Sequence, residues 1–418
     1  MILPVRSISM LSNIFTILLR SSIAVQKLLV LLLAHLYTMV IGRNKNLWVF
    51  GSFTKSPQFT DNSMYLYKYI LNGGQVDIQP VWLTIDPEVR DNLAHRGYDV
   101  RLKSSVKAKL ATMKASVIVI DSSFEGVPWE FTGGAKTVQL THGIPLKSPK
   151  TSKYTDNPRL TGVLLDYSEQ IIEKILYRID FYVVSSDFCD KQFKKYANLN
   201  YDSGGYLQRS VSTGTPIYTG FPKTDQIQNV KSKKTTCTQK EQCGKNPSIS
   251  IGYFPTYRDY TTSIRPFDEH ILDQFCSQNE SEFIIKPHRL LTVEFDNINK
   301  TDRIIYSNSS HDPYSWMHQL DVFITDYSSM FFDFLLLNKP ILIYQFDRQY
   351  FESSRGLMPN FDHLTEPFQC NDTSELVREI QKPDLYESQK ENIEELRHIV
   401  FADEHNESCK ELVKVLYR

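Results

Sequence analysis

Residues Asp321–Asp347 read D-V-F-I-T-D-Y-S-S-M-F-F-D-F-L-L-L-N-K-P-I-L-I-Y-Q-F-D. The apolar run Val322-Phe323-Ile324-Thr325 has the length of a buried strand. Asp326-Tyr327-Ser328-Ser329 interrupts it. Met330 to Leu337 resumes at helical spacing, with Phe331, Phe334 and Leu335 on one face. Asn338-Lys339-Pro340 stops the helix, and Ile341 to Tyr344 is strand-like again. The stretch predicts one strand–helix–strand unit of a parallel sheet. Ser328 and Ser329 fall where the helix starts, where free N–H groups and the positive dipole end favour an anion. Taken locally, a helix cap at Asp326 or Ser328 is the commoner use of such residues. The rest of the chain has to decide between the two.

At 418 residues the chain is long enough for on the order of two or three domains with ample core. An apolar content of 41% with 23% charged residues is that of an ordinary globular protein, and a net charge of −1 gives no argument for nucleic-acid binding. The six cysteines (Cys189, Cys237, Cys243, Cys276, Cys370 and Cys409) form no C-x-x-C pair and have no histidine at zinc spacing. Reduced structural thiols of a cytosolic protein are expected.

Charge is uneven at the N-terminus. Residues 1–60 carry Arg6, Arg20, Lys27, Arg43, Lys45 and Lys55 but no Asp or Glu. The cleanest apolar run there, Leu28 to Ile41, is 14 residues, short of the roughly 20 that span a bilayer. No small-residue cleavage site follows, so a signal peptide is not expected. An interfacial helix with basic residues facing anionic lipid fits the pattern best, a single membrane-spanning helix and a buried helix of the first domain being the other readings.

From Leu47-Trp48-Val49-Phe50-Gly51 onward, strand-like and helix-like segments alternate as in a doubly wound α/β domain. Residues 199–248 are polar and irregular, with a lysine-rich piece at 230–245, and a second alternating series follows. The expected partition is a basic apolar membrane-associating segment (1–45), a Rossmann-like lobe (46–225), a polar linker (226–248) and a second Rossmann-like lobe with terminal helices (249–418). Two such lobes imply a ligand cleft between them.

Chemistry-bearing clusters gather at strand C-termini, where an open α/β sheet binds ligands. In T-H-G-I-P-L-K (141–147), His142 suits a general base on a hydroxyl because its pKa lies near neutrality, and Gly143 allows a sharp turn or close approach. F-P-T-Y-R-D (254–259) ends another strand, and Arg258 has the fork geometry to bridge phosphates. K-P-H-R (286–289) ends a third. Lys147, Arg258, Lys286, His288 and Arg289 together suggest an anionic ligand such as a pyrophosphate. G-F-P-K-T-D (220–225) reads as a turn entering the linker. No P-loop, G-x-G-x-x-G, H-E-x-x-H or strand-end D-x-D is present, so neither a metal nor a cofactor is demanded.

On these residues the sequence resembles the CDP-glycerol glycerophosphotransferase family, the teichoic-acid primases and polymerases. The matching pieces, in order, are Asp61-Asn62, 141–147, 220–225, 254–259, 286–288, I-T-D-Y-S-S-M-F-F-D (324–333), and P-I-L-I-Y (340–344) with Asp347 and Arg355-Gly356. They cover roughly 47–365. The resemblance implies a GT-B fold, with the nucleotide held mainly by the C-terminal lobe. It implies transfer of glycerol phosphate, or a related polyol phosphate, from CDP-glycerol to a hydroxyl of a membrane-linked acceptor in teichoic-acid or capsule-type polymer synthesis, releasing CMP. It implies His142 as base, His288 as a second histidine at the phosphates, and Ser328 and Ser329 as pyrophosphate-binding serines. Asn62, Gly143, Lys147, Pro255, Thr256, Lys286, Arg258, Asp326 and Asp333 complete the expected substrate contacts. It also implies a peripheral enzyme on the cytoplasmic membrane face, resembling the shorter members. Thr141 departs from the family, where an aromatic residue is common before H-G. Two other classes share features of this reading: a GT-B glycosyltransferase using a nucleotide-sugar in cell-surface polysaccharide synthesis, and a membrane-associated scaffold with a vestigial site.

Overall fold

The computed structural model describes residues 25–51, 59–73, 77–121, 126–148, 178–199, 214–232, 248–258, 260–288, 291–294, 303–307, 312–402 and 407–418. Two parallel sheets organise them. The first contains β1 (Asn44–Gly51), β2 (Gln79–Thr84), β3 (Val100–Leu102), β4 (Ala115–Ile120), β5 (Lys136–Gln139), β6 (Phe181–Val184) and β7 (Thr215–Tyr218). Their order in space is 3-2-1-4-5-6-7, and every pairing is parallel. This is the doubly wound order, reversing between β1 and β4. The central strands are buried on both faces (Val49, Phe50, Val117 to Ile120) because helices cover both sides. β3 and β7 escape sequence reading because their short edge runs, V-R-L and T-P-I-Y, lack an apolar stretch.

The second sheet contains β8 (Ser250–Phe254), β10 (Glu282–Ile285), β12 (Ile304–Tyr306), β13 (Val322–Thr325), β14 (Ile341–Tyr344) and β15 (Gln369–Cys370). Its order is 12-10-8-13-14-15, again all parallel. A separate two-stranded piece pairs β9 (Ser263–Ile264) with β11 (Thr292–Val293). The expected strand–helix–strand unit is present: β13, a helix Met330–Leu335, and β14, with β13 and β14 in direct register from Phe323↔Ile341 to Thr325↔Ile343. The helix stops at Leu335, short of the expected Leu337. Pro313–Gln319 forms two 3₁₀ turns.

Two expectations about organisation are corrected. G-F-P-K-T-D opens a helix, Pro222–Ser232, so the expected boundary at 225/226 cuts through that helix. The last helix also leaves the second lobe. Asp225 accepts hydrogen bonds from the backbone N–H groups of Ser408 and Cys409 (2.7 and 2.8 Å), which caps helix Ser408–Tyr417 on the first lobe. Lys136 Nζ and Tyr417 Oη hold the other end, on Leu416 O and Asn46 respectively. Helix Leu385–Phe401 reaches both lobes: Gln389 bonds Ile341 in the second, while Val400 O accepts from Ser185 in the first. The apolar core is continuous across the junction, with Phe188 against Phe332.

The four described cysteines, Cys189, Cys276, Cys370 and Cys409, are buried and free, as structural thiols should be. Cys237 and Cys243 lie outside the described residues, as does the linker beyond 232.

Candidate functional site

The site is built where the first lobe's strand ends meet the second lobe. Asp61 stands where the chain enters helix Asp61–Leu71, and Thr141 follows β5. Both have left-handed backbones, at φ 65° and 62°. For the β-branched Thr141 this conformation is unusual and costs about 1–3 kcal/mol. Asn62 ties the two segments, its Nδ2 donating to Thr141 O at 2.8 Å. The twist presents the next side chain, His142, to the cleft. Its Nδ1 is hydrogen-bonded to the Asp61 carboxylate, and its side chain is 44% exposed while that of Asp61 is 20% exposed.

This is a histidine–carboxylate dyad. Burial disfavours the imidazolium, but the charge and hydrogen bond of Asp61 override it, and His142 is raised above the ordinary imidazole range. Asp61 feels burial too, yet His142, Lys223 and the Asn62 N–H hold it below the usual carboxylate range. Behind the pair, Asp121 at the end of β4 accepts the Ser63 N–H at 2.9 Å. Burial and the charge of Asp61 push Asp121 up to about 8. An imidazole oriented by a carboxylate on Nδ1 can take up a proton at Nε2, and the carboxylate stabilises the cation that results.

Asp61→Asn is therefore expected to move the acid limb of the kcat/KM–pH profile to lower pH, because the group that raises His142 is gone. The wild-type limb should lie above about 6.5. A limb that stays in place in Asp61→Asn would detach Asp61 from the titration of His142.

Across the cleft, Ser328 and Ser329 follow β13. A Cβ added at Gly143 (φ 143°) would stand 3.1 Å from Ser329 Oγ and 3.2 Å from Lys223 Nζ. The glycine is thus what lets the His142 loop approach the serines. The same loop is fastened further along. Lys147 bridges Leu357 in antiparallel fashion, Met358 N donates to Leu146 O (2.9 Å) and Ser148 N to Gly356 O (3.0 Å).

The other expected residues separate into two groups. Lys286 is half-buried at the end of β10, and His288 is exposed with its ring 5.5 Å from that of Tyr257. These remain at the second lobe's strand ends. Arg258 does not: it is fully buried and cannot bridge a phosphate from that position. Its guanidinium donates to Asp347 (2.9 and 3.0 Å), Asp326 (2.8 Å) and Thr256 O (2.6 Å), packed among Tyr327, Phe346 and Phe351. Asp326 is equally buried. Its Oδ1 accepts the N–H groups of Thr256 (2.8 Å) and Tyr327 (2.7 Å), so it orients both loops rather than meeting a ribose. Pro255 and Thr256 are buried beside it. Asp333 is buried on Lys223 (2.9 Å) and Tyr314 Oη (2.6 Å). Arg289 lies outside the described residues.

The helix start is also more self-contained than its sequence suggests. Ser328 Oγ accepts the Met330 N–H at 3.3 Å, and Phe331 and Phe332 N–H turn back to Ser328 and Ser329 carbonyls at 3.1 Å. The helix has six residues, so its dipole is small, and what the serines offer a ligand is chiefly their hydroxyls.

Residues 34–417 match the family model of the CDP-glycerol:poly(glycerophosphate) glycerophosphotransferases. The chain belongs to this family. Among relatives, it is 26% identical to the teichoic acid poly(glycerol phosphate) polymerase of Bacillus spizizenii, over 92% of this chain and 97% of that protein. It is 31% identical to the teichoic acid glycerol-phosphate primase of Bacillus subtilis over 56% and 55% of the respective chains. Among solved structures, the wall teichoic acid polymerase TagF superposes with a TM-score of 0.66 at 17% identity, covering 100% of this chain and 98% of that one. The fold is thus the GT-B arrangement that the sequence resemblance implies, and the protein is a glycerophosphotransferase-type enzyme.

Sequence reasoning missed Asp61, Lys223 and Tyr314 as parts of the site. Asp61 and Lys223 lay inside quoted motifs, but nothing in their spacing shows that they converge on His142. Tyr314 carried no motif at all.

Proposed function

We propose that His142 is the general base of a glycerol-phosphate transfer from CDP-glycerol to a hydroxyl of a membrane-linked polyol-phosphate acceptor. The observation that carries this reading is the dyad's place, on the first lobe and facing Ser328 and Ser329 across the Gly143 contact. The acceptor oxygen attacks the β-phosphorus of the donor as its proton passes to His142 Nε2. The bond from that phosphorus to the bridging oxygen breaks, and CMP leaves. Such a transfer needs mostly positioning and charge stabilisation. Ser328 and Ser329, with Lys286 and His288, are the groups at the donor lobe's strand ends that suit the pyrophosphate.

Incubation with CDP-glycerol, CDP-ribitol and UDP-sugars, reading CMP or UDP release, tests the donor. Release of UDP alone would favour a nucleotide-sugar transferase instead. Ser328→Ala should raise KM for CDP-glycerol roughly ten- to a hundredfold, since a hydrogen bond to a charged group contributes about 1.5–3 kcal/mol, and leave kcat within a few-fold. A fall in kcat with unchanged KM would remove the serine from donor binding.

The membrane reading rests on the helical residues 25–41. Leu29, Leu33, Leu36 and Val40 recur at helical spacing and are exposed, as are Leu32, Met39 and Ile41. The opposite face is docked on the first lobe. Thr38 Oγ1 donates to Gly133 O at 2.9 Å, and Arg43 donates to Thr112 O (2.8 Å) and Ala115 O (2.6 Å). Among the described residues no helix is long and apolar enough to cross a membrane. A helix lying in the interface fits this geometry. Leu32→Glu with Leu33→Glu should abolish co-flotation with anionic vesicles while CMP release on a soluble acceptor continues. Retained flotation would refute the helix as anchor.

A further inference from the structure

The Lys223 side chain is 1% exposed and that of Asp333 4%. An ammonium has three protons, and Lys223 Nζ has three acceptors: His142 O (2.6 Å), Asp333 Oδ2 (2.9 Å) and Tyr314 Oη (3.1 Å). No donor is left for a substrate phosphate. The first acceptor belongs to the base's own residue in the first lobe. The second lies on the helix that directly follows Ser328 and Ser329. The third lies on the 3₁₀ turn Pro313–Ser315, before β13. Lys223 also holds the dyad's other half: its backbone N–H donates to Asn62 Oδ1 at 3.0 Å, beside Asp61.

We infer that Lys223 is a positioning residue for the transfer, whose buried bond to Asp333 fixes the His142 loop at a set distance from the donor-binding serines. A buried ion pair is weak evidence for stability, and its better-attested use is to specify one geometry among several. The geometry specified here is the spacing of base and donor, where a shift of about 1 Å can cost on the order of a hundredfold in rate. Among the described residues, the charged and titratable groups acting on His142 are Asp61 from its helix, Asp121 from the end of β4 and Lys223 from the Pro222 helix. Lys223 pulls His142 downward against both carboxyls, so its removal moves the base's titration upward.

This inference rests on His142 being the base, and the test separates the two. Lys223→Met, Asp333→Asn and the double variant are assayed with CDP-glycerol for kcat, KM and the pH profile. Each single change should lower kcat about a hundredfold with donor KM within about threefold. The double should be no worse than the poorer single, because both changes break the same Lys223–Asp333 pair. The acid limb of Lys223→Met should move to higher pH, which a merely structural loss would not do. Losses that multiply in the double, a change confined to KM, or an unmoved limb would overturn the inference. Tyr314→Phe keeps both charges, and so carries the test if Lys223→Met does not fold. It should lower kcat about tenfold with unchanged donor affinity, and wild-type turnover there would overturn it as well. Near-normal turnover in His142→Ala overturns the base reading, and the coupling of Lys223 to Asp333 is then judged on the double variant alone.

Discussion

Replacing His142 with alanine should lower kcat by at least about a hundredfold, the scale of a general base, while CDP-glycerol binding is kept. The imidazole is the group on the first lobe that combines cleft exposure with a carboxylate on Nδ1. The second-lobe residues do not depend on it for their placement: Ser328 and Ser329 are set by β13, by the Asp326 bonds and by their own turn. Loss of the base should therefore appear in kcat and leave donor affinity, read by calorimetry, within a few-fold. Turnover near that of the wild type would sink the assignment. Because Asp61 raises His142, the wild-type enzyme should lose activity on the acid side as the imidazole fills with a proton. That limb should be absent from the residual activity of His142→Ala.

Arg258→Met should lower stability by about 3–5 kcal/mol, the usual consequence of breaking a buried ion pair by removing one partner. Two carboxylates, the fully buried Asp326 and the largely buried Asp347, would lose their common cation. The loss would spread. Asp326 holds the turns after β8 and β13, and Tyr260 and Tyr327 both donate to Asp347. Arg258→Lys should not restore it, since a single ammonium cannot replace a fork reaching two carboxylates. Thermal or urea unfolding measures this. If Arg258 instead bridged phosphates, the variant would unfold at the wild-type midpoint and show a raised KM for CDP-glycerol.

How much of this was legible in the sequence varies with the range over which each feature is determined. The strand–helix–strand unit at 321–347 was readable because its apolar period changes from run to helical spacing and back within one stretch. The parallel sheets followed from repetition of that signal. The edge strands β3 and β7 were not readable, since half-exposed short strands have no such pattern. The motifs named His142, Ser328 and Ser329, because strand C-termini are where such a fold presents side chains.

What the sequence by itself determined is therefore local: periods, turns, and which polar residues fall at strand ends. Only the tertiary structure decided how those residues divide the work. Arg258, Asp326 and Asp333 carry the charges of a phosphate or ribose site, and a sequence shows charge but not burial. Packing encloses all three and pairs them with one another or with Lys223, so their charge is used to hold loops. Asp61 and His142 are separated by 81 positions, and Lys223 and Asp333 by 110. No periodicity reaches that far. At Asp321–Asp347 the serines turn the chain locally and also stand against the Gly143 loop of the other lobe. Lys223, which ties the His142 loop to the helix after the serines, comes from the other lobe, placed by contacts that exist only once both sheets are packed.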